Sequence, residues 1–292
     1  MASLKEVKAR IGSVNSTKKI TGAMKMVSSA KLKKAQLAIE NILPYQNRLN
    51  GILENFLATE TDFQSDFSAV REVKKMAIVV FSSNSSLCGA FNSNVIKELN
   101  GLIKKELANG VQLTIYPIGK KVKEAVFKMA DVQKVDIEVS LSDHPSFDGI
   151  STITNELMAK FLNKEYDKVM LIYHHLKNTA VQKLMTETFL PIKLESNKAA
   201  SQNLSGDYIV EPSKAEVLES LLPKALRTKM YACLLDSNAS EHGARVVAMQ
   251  VATDNANELI NELTVLYNKT RQQAITSELL DIVGGAAALQ SK

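Results

Sequence analysis

The sequence predicts an α/β protein with a long antiparallel coiled coil, in which the N- and C-terminal helices pair around an inserted α/β domain. Both ends of the chain carry apolar residues at helical spacing over long stretches that are poor in proline. The middle of the chain changes to short apolar runs separated by turn residues. Aromatic residues make up only 5% of the 292 residues and Trp is absent, which is low for a compact enzyme and common for long helices.

The C-terminal stretch, roughly Pro212 to Gln290, determines this organisation. From Ser213 to Val283 its only proline is Pro223 and its only glycine is Gly243. A helix of about 70 residues is on the order of 100 Å long, so it needs a partner helix, a surrounding protein, or both. In its second half, steps of 3, 4 or 8 place the apolar residues on one helical stripe. These residues are Val247, Val251, Leu259, Leu263 and Leu266, continued by Thr270 and Ala274.

Residues 3 to 57 are predicted to form the partner helix. Coiled-coil spacing begins in steps of 3, 4 and 3 and resumes after a slip near Thr17 and Lys18. Pro44 predicts a kink or a short break. Residues 1 to 40 hold nine lysines and arginines against two glutamates, which implies an acidic partner surface at that end. The predicted stripe consists of Leu4, Val7, Ile11, Val14, Ile20, Met24 and Val27.

The middle of the chain predicts a Rossmann-like α/β domain with parallel strand pairing. Its apolar runs predict strands at residues 76–81, 111–118, 168–173 and 183–190, with an edge strand at 208–210. Helical patterns fall between them, at residues 92–109, 120–129 and 150–162. We therefore divide the chain into an N-terminal helix (1–57), a linker (58–74), the α/β domain (75–207) and a C-terminal helix (208–292).

The sequence gives no defensible catalytic or metal site, and it implies no cofactor. Neither phosphate-binding glycine pattern occurs, and the loop after the first strand reads as an ordinary strand-to-helix connection. Cys88 is expected to be an inert, partly buried thiol. His174 and His175 are adjacent on a strand and point to opposite faces, so they cannot easily share a metal. His242 is expected to make a helix-surface or interhelical hydrogen bond.

Composition also limits which cellular compartment and which classes of partner are expected. The two cysteines have no metal or redox spacing, so a reducing compartment is expected. No apolar run approaches the roughly 20 residues of a membrane span, and no signal peptide is apparent. Arginine occurs once before residue 48 and aromatic residues are absent up to Tyr45, which disfavours nucleic-acid binding. Two alternatives stay open, an α/β enzyme with helical extensions and a basic coiled-coil adaptor or nucleic-acid binder.

Long motifs along the whole chain resemble one family. The segment from Ile11 to Gln36, IGSVNSTKKITGAMKMVSSAKLKKAQ, is similar to the N-terminal signature of the F-type ATP synthase gamma subunit. SEHGARVVAM at 240–249 and ATDNANELI at 252–260 resemble the mid-helix motifs of that family. YNKTRQQAIT at 267–276 and IVGGAAAL at 282–289 complete a resemblance that runs from about residue 3 to residue 289.

The resemblance implies a non-catalytic rotor shaft. In this family the terminal helices form an antiparallel coiled coil inside a ring of alternating alpha and beta subunits, in a 3:3:1 ratio with gamma. The shaft couples ion flow through the membrane c-ring to ATP synthesis or hydrolysis at the beta subunits and regulates ATPase activity. It also implies an epsilon-subunit partner, no nucleic acid, and a peripheral place on the cytoplasmic face of a bacterial inner membrane.

By position, the resemblance assigns three groups of residues. The family's contacts to beta-subunit loops match Met24, Lys25, Arg271, Gln272, Thr276 and Glu278. The tip that turns in an apolar sleeve matches Ile282, Val283, Gly284, Gly285 and Ala286, and the foot that meets the c-ring and epsilon matches Tyr208 and Glu211.

Two departures from the family pattern matter. Where the family often has Asp-Arg-Gly-Leu-Cys-Gly, this chain has NSSLCG at residues 84–89, so the resemblance does not extend to a charged contact at this loop. The cysteine-bearing insertion of the chloroplast form has no counterpart here, so we expect no redox regulation.

Overall fold

The computed structural model describes residues 3–59, 65–192, 211 and 213–290. The chain falls into two compact units, one of Met1–Val27 with Val246–Lys292 and one of Ser28–Arg245. Two long helices run through both units, α1 (Leu4–Thr59) and α6 (Lys214–Gln290). Among the described residues, no helix is long and apolar enough to cross a membrane.

The first unit pairs the start of α1 with the second half of α6, as the sequence predicts. The hydroxyl groups of Thr21 and Thr253 lie 2.8 Å apart across the two helices. Buried residues on this part of α6 recur every seven positions, at Met249, Ala256 and Leu263. A seven-residue repeat keeps one seam facing the partner helix, which is the burial pattern of a coiled coil.

The predicted stripes are only partly right. On α1 the seven-residue repeat continues through Thr21 to Ser28, and both are buried. Their neighbours Ile20 and Val27 are 60% and 58% exposed. There is thus no slip, because small hydroxyl side chains occupy the seam where sequence reasoning looked for large apolar ones. The predicted stripe on α6 is also only partly buried. Leu263 is buried, and Leu259 and Thr270 are half-buried. The other four positions are exposed, and they are Val247, Val251, Leu266 and Ala274.

The second unit is built on a five-stranded mixed sheet in the order β3-β2-β1-β4-β5. The strands are β1 (Lys75–Phe81), β2 (Gln112–Ile118), β3 (Gln133–Lys134), β4 (Lys168–Asn178) and β5 (Val181–Leu190). The first four are parallel, as expected, and β5 returns antiparallel to β4. The helices between them are α2 (Phe91–Ala108), α3 (Lys120–Val126), α4 (Ser140–Asp143) and α5 (Phe147–Leu162).

Each face of the sheet has its own apolar core. One core lies under α2 and α3 and includes Ile78, Leu99 and Ile115. The other joins the sheet to α5 and to the first half of α6, through residues such as Phe161 and Met230. The strands are therefore buried on both faces, which explains why they read as continuous apolar runs.

Some details differ from the predictions. α1 is one continuous helix with Pro44 inside it, so the prediction of a break at Pro44 is wrong. Part of the predicted linker is packed, since Phe67 of a 3-10 turn (Asp66–Ser68) is buried in the core. β4 extends five residues beyond the predicted end, from 173 to 178. The predicted edge strand at 208–210 lies outside the described residues.

Candidate partner-binding surfaces and a buried polar collar

The end of α6, from residue 271 to residue 286, is exposed to solvent, and we call it the bare end of α6. Every residue from 271 to 286 is exposed, although this stretch remains helical. Large apolar side chains lie among them, and they are Ile275, Leu279, Leu280, Ile282 and Val283, from 49% to 68% exposed. Clusters of exposed large apolar side chains mark surfaces that a partner covers. This segment therefore has the properties of a helix that binds inside another protein.

The predicted contact residues on this segment share one side of the helix. Arg271 and Glu278 are seven residues apart, and Gln272 and Thr276 are four apart, so the four lie within an arc of about 160° at 100° per residue. Ile275 lies within the same arc. All four predicted side chains are exposed. The arrangement combines a guanidinium group, a carboxylate and apolar surface on one face.

The predicted contact residues on α1 lie elsewhere along the same unit. Met24 and Lys25 are half-buried, three to four residues from Thr21, which faces Thr253. Arg271 is 18 residues beyond Thr253, so the two groups are separated by about 30 Å along the helices, at about 1.5 Å per residue. The structure therefore does not bring the two groups of predicted contact residues together.

The structure describes the predicted tip residues but only one of the two predicted foot residues. Ile282, Val283, Gly284, Gly285 and Ala286 form the exposed end of the described surface of α6. Glu211 is exposed, and Tyr208 lies outside the described residues.

A second candidate site lies in the second unit, where α6 passes the carboxyl ends of the parallel strands. Seven consecutive residues, 237 to 243, are buried there, and Arg245 is buried as well. We call residues 236–245 of α6, with the loops that enclose them, the polar collar.

On one side of α6, the polar collar binds β4 and lies close to the turn after it. The Asp236 carboxylate accepts a 2.8 Å hydrogen bond from the backbone N–H of Leu176 and lies 2.5 Å from the His175 ring. The Ser240 hydroxyl donates to the backbone carbonyl of His174 at 3.2 Å. The β4–β5 turn comes close to Gly243, since a Cβ on Gly243 would lie 3.4 Å from the backbone oxygen of Thr179.

On the other side, the polar collar binds α4 and the loop after β1. The Asn238 amide donates to the backbone carbonyl of Ser142 at 2.8 Å, and Ser142 in turn donates to the carbonyl of Ser82 at 2.7 Å. Arg245 donates to the hydroxyl of Ser85 at 2.8 Å. The loop that lacks the family's charged pair is thus held by an arginine from α6.

The polar collar also contains a buried ion pair. Arg245 lies 2.8 Å from Glu241 one helical turn away, and both side chains are more than 90% buried. Burial raises the pKa of Glu241, and the charge of Arg245 opposes that rise. Burial, helped by Arg245, lowers the pKa of His242 to about 4, so His242 is neutral at pH 7. A buried ion pair is costly to break from one side only.

The histidines and cysteines differ in their exposure to solvent. His174 is buried and stacks on Phe91 at 4.3 Å between ring centroids, whereas His175 is exposed, so the two point to opposite faces as expected. His242 is buried next to Arg245 of its own helix, so the predicted helix-surface or interhelical bond was wrong. Cys88 is buried, and burial raises the pKa of Cys233 to about 12. Within the described ranges, no three His, Cys, Asp or Glu residues gather as a metal site.

The crevice where open α/β sheets bind ligands is filled by the chain itself. Ligands of such sheets bind outside the carboxyl ends of the strands where the strand order reverses, which here is between β1 and β4. Arg245 of α6 binds Ser85 in the loop that follows β1, and Ser240 binds the backbone of His174 in the last part of β4. This arrangement disfavours the alternative of an α/β enzyme with a nucleotide at this position.

Sequence reasoning missed the polar collar. The signal for it was present, because from Ser237 to Arg245 the apolar stripe of the helix gives way to serine, asparagine, glutamate, histidine and arginine. A polar interruption in a long helix normally marks a solvent-exposed side. Only the structure reveals that the interruption is enclosed.

Comparison with known proteins agrees with the resemblance. The ATP synthase family model matches residues 3–289. The ATP synthase gamma chain of Phocaeicola vulgatus is 55% identical over 290 residues, covering 99% of this chain and 100% of the relative. The chain belongs to the ATP synthase gamma-chain family. Another gamma chain, from Flavobacterium johnsoniae, is 50% identical over 291 residues and covers 99% of both chains.

Solved structures confirm the fold of the gamma-chain family for this protein. A chain from the central stalk and c-ring of the Tetrahymena thermophila mitochondrial ATP synthase is 25% identical, with a TM-score of 0.58 over 80% of this chain and 99% of that one. A chain from the Euglena gracilis mitochondrial ATP synthase has a TM-score of 0.66 at 19% identity, covering 99% of this chain and 95% of that one. The predicted family and the predicted fold class are both confirmed.

Proposed function

We propose that this chain is the central rotor shaft of a bacterial F1 ATP synthase and performs no bond chemistry itself. In this role it couples ion flow through a c-ring to ATP synthesis or hydrolysis at beta subunits and regulates their ATPase activity. Its partners are three alpha and three beta subunits, an epsilon subunit and the c-ring. Its place is the cytoplasmic face of the inner membrane, to which it is bound only peripherally.

The observation that carries this proposal is the bare end of α6. Sixteen helical residues, from 271 to 286, have exposed side chains, and the large apolar ones among them need a protein sleeve. The gamma-chain relatives match over essentially the whole chain, so this end is aligned with theirs. We assign Met24, Lys25, Arg271, Gln272, Thr276 and Glu278 to contacts with beta subunits, residues 282–286 to the sleeve, and Tyr208 and Glu211 to the foot.

Coupling by such a shaft follows from differential contacts. An asymmetric rod contacts the three beta subunits differently, so it stabilises a different conformation of each at any moment. Arg271 is suited to this because its planar guanidinium binds a carboxylate with two hydrogen bonds and stays charged. Turning the rod exchanges those contacts and hence the affinities of the three sites.

The experiment that tests the proposal is reconstitution with direct observation of rotation. The chain carries one added surface thiol, Lys104→Cys on α2, for attachment of a bead. Lys104 is exposed, whereas Cys88 and Cys233 are buried. We expect a 3:3:1 complex with alpha and beta subunits whose bead turns in one direction when ATP is added. The matched control is the same complex with a bead on an alpha subunit, which should stay still.

Other outcomes would contradict the proposal. A chain that remains separate from the alpha and beta subunits, or a complex that hydrolyses ATP while the gamma bead stays still, would exclude a rotor. Nucleotide binding by the isolated chain would favour the α/β enzyme instead.

A further inference from the structure

The stretch of α6 inside the polar collar has unusual chemistry for an enclosed helix. Seven successive buried residues cover two helical turns, so every side of the helix is enclosed there. A helix that is buried all round is normally apolar all round. Here only Ala239 of the seven residues from 237 to 243 has an apolar side chain. Earlier in α6, by contrast, the buried residues include Leu222, Leu226 and Met230.

The contacts of the polar collar leave α6 in opposite directions. At 100° per residue, Asp236, Ser240 and Gly243 lie within about 60° of one another around the helix. Asn238 and Arg245 lie roughly 180° away from them. Asp236 and Ser240 of the first group bind β4, and the second group binds α4 and the β1–α2 loop. The sheet domain therefore holds the helix from two sides.

Apolar and polar contacts resist movement differently. Burial of apolar area is non-directional, so a leucine seam loses little when a helix turns or slides slightly. A hydrogen bond weakens steeply once its angle falls below about 120°. A buried polar group that loses its partner is left without the hydrogen bond that water would supply in the unfolded chain, so the displaced arrangement is destabilised. Bonds on two opposite sides therefore oppose both rotation of α6 about its axis and sliding along it.

We propose that the polar collar is a torque lock, which fixes the rotational and axial register of α6 in the sheet domain. This inference rests on the proposed rotor function, because a lock of this kind is needed only if the sheet domain and α6 are loaded against each other. The apolar core under the first half of α6 supplies stability, and the polar collar supplies resistance to slip. The part of α6 in this unit ends at Arg245, the last residue of the lock.

The test replaces the lock by apolar side chains of similar volume. The variant combines Asn238→Leu, Ser240→Ala, Glu241→Leu and Arg245→Met, so that no buried charge is left unpaired. The matched control is Thr228→Val, since Thr228 is also buried in α6 but its hydroxyl donates only to Lys224 of the same helix, at 2.8 Å. Both are assembled with alpha and beta subunits and carry the bead at Lys104→Cys.

The measured quantity is the angular fluctuation of the bead in paused complexes. We expect the variance to rise about twofold in the apolar variant, because most directional contacts of a load-carrying network are gone. The thermal unfolding midpoint of each isolated chain is measured in parallel. The Thr228→Val complex should keep the wild-type variance even if its unfolding midpoint falls, which separates a lock from a merely stabilising contact.

The outcomes distinguish the two proposals. If the wild-type complex rotates and the apolar variant keeps the wild-type variance, the polar collar is not a torque lock and the rotor function stands. If the wild-type complex assembles without rotating, the rotor function fails and the lock fails with it. Should the fourfold variant not assemble, Asn238→Ala and Ser240→Ala singly must each widen the fluctuation, and unchanged values would equally overturn the inference.

Discussion

Buried histidines make the stability of this chain sensitive to acid. Burial lowers the pKa of both His174 and His242 from the ordinary value of 6.5 to about 4. Between these values the unfolded chain binds more protons, so the free energy of unfolding falls as the pH drops from 6.5 to 4. Above pH 6.5 the full stability is present. Each histidine changes the stability by about 1.4 kcal/mol per pH unit.

The first prediction concerns the slope of stability against pH. Urea unfolding between pH 6 and pH 5 should show about half the wild-type histidine slope for His242→Gln, since His174 remains. Glu241, whose pKa is raised, opposes this slope in both proteins and cancels to a first approximation. The control is Gly101→Ala, at an exposed position, which changes no titratable group and should leave the slope unchanged. An equal slope for His242→Gln and wild type would refute the buried neutral state of His242.

The turn between β2 and α3 requires glycine. Gly119 has a φ of +106°, and a Cβ there would lie 2.2 Å from the backbone oxygen of Ser82. Gly119→Ala must therefore move the backbone at the end of β1, and we expect a loss of more than about 2 kcal/mol in urea unfolding. Gly101→Ala is the matched control, because Gly101 lies in α2 with open space around its Cβ position.

The two glycine variants should have opposite signs. Alanine favours a helix over glycine by about 0.5–1 kcal/mol, so Gly101→Ala should stabilise the protein. Equal effects of the two substitutions would show that the β2–α3 turn tolerates a side chain.

At the scale of elements, most of the fold was accessible from the sequence. The buried strands β1, β2 and β4 were found because their residues are apolar on both faces, and α1 and α6 because of their length without helix breakers. Sequence reasoning failed where polar residues are buried. Thr21 and Ser28 occupy the α1 seam in place of the apolar neighbours that pattern matching selected.

The register of α6 in the coiled coil can be tested by one pair of variants. The sequence placed Leu263 and Leu266 on the same stripe, but Leu263 is buried and Leu266 is 43% exposed. Leu263→Ala should cost about 2–5 kcal/mol, since it leaves a cavity in the seam, and Leu266→Ala less than about 1 kcal/mol. Circular dichroism during thermal unfolding measures both, and equal losses would mean that the seam follows the sequence-derived stripe.

At the scale of the whole molecule, local patterns indicate only some of the functional surfaces. The bare end of α6 and the predicted contact residues were found through resemblance, because nothing in helical periodicity marks Arg271 or Gln272 as special. Neither helical periodicity nor the resemblance predicted the contacts of the polar collar, since these contacts join residues far apart in sequence, such as Ser85 and Arg245. Its enclosure is a property of the tertiary fold alone.

The last prediction separates function from stability. Arg271 and Gln272 are exposed on the bare end of α6, so Arg271→Ala combined with Gln272→Ala removes no buried contact of this chain. The unfolding free energy of the isolated chain should therefore change by less than about 0.5 kcal/mol. ATP synthesis in membranes carrying the double variant should fall, because charge-assisted contacts to the surrounding subunits are lost.

The control is Lys104→Ala with Lys105→Ala, an exposed pair on α2, for which both values should stay at wild type. Unaltered synthesis in the Arg271 and Gln272 variant would remove these two residues from the coupling surface, and the apolar side chains around Ile275 would then have to hold the rod without them.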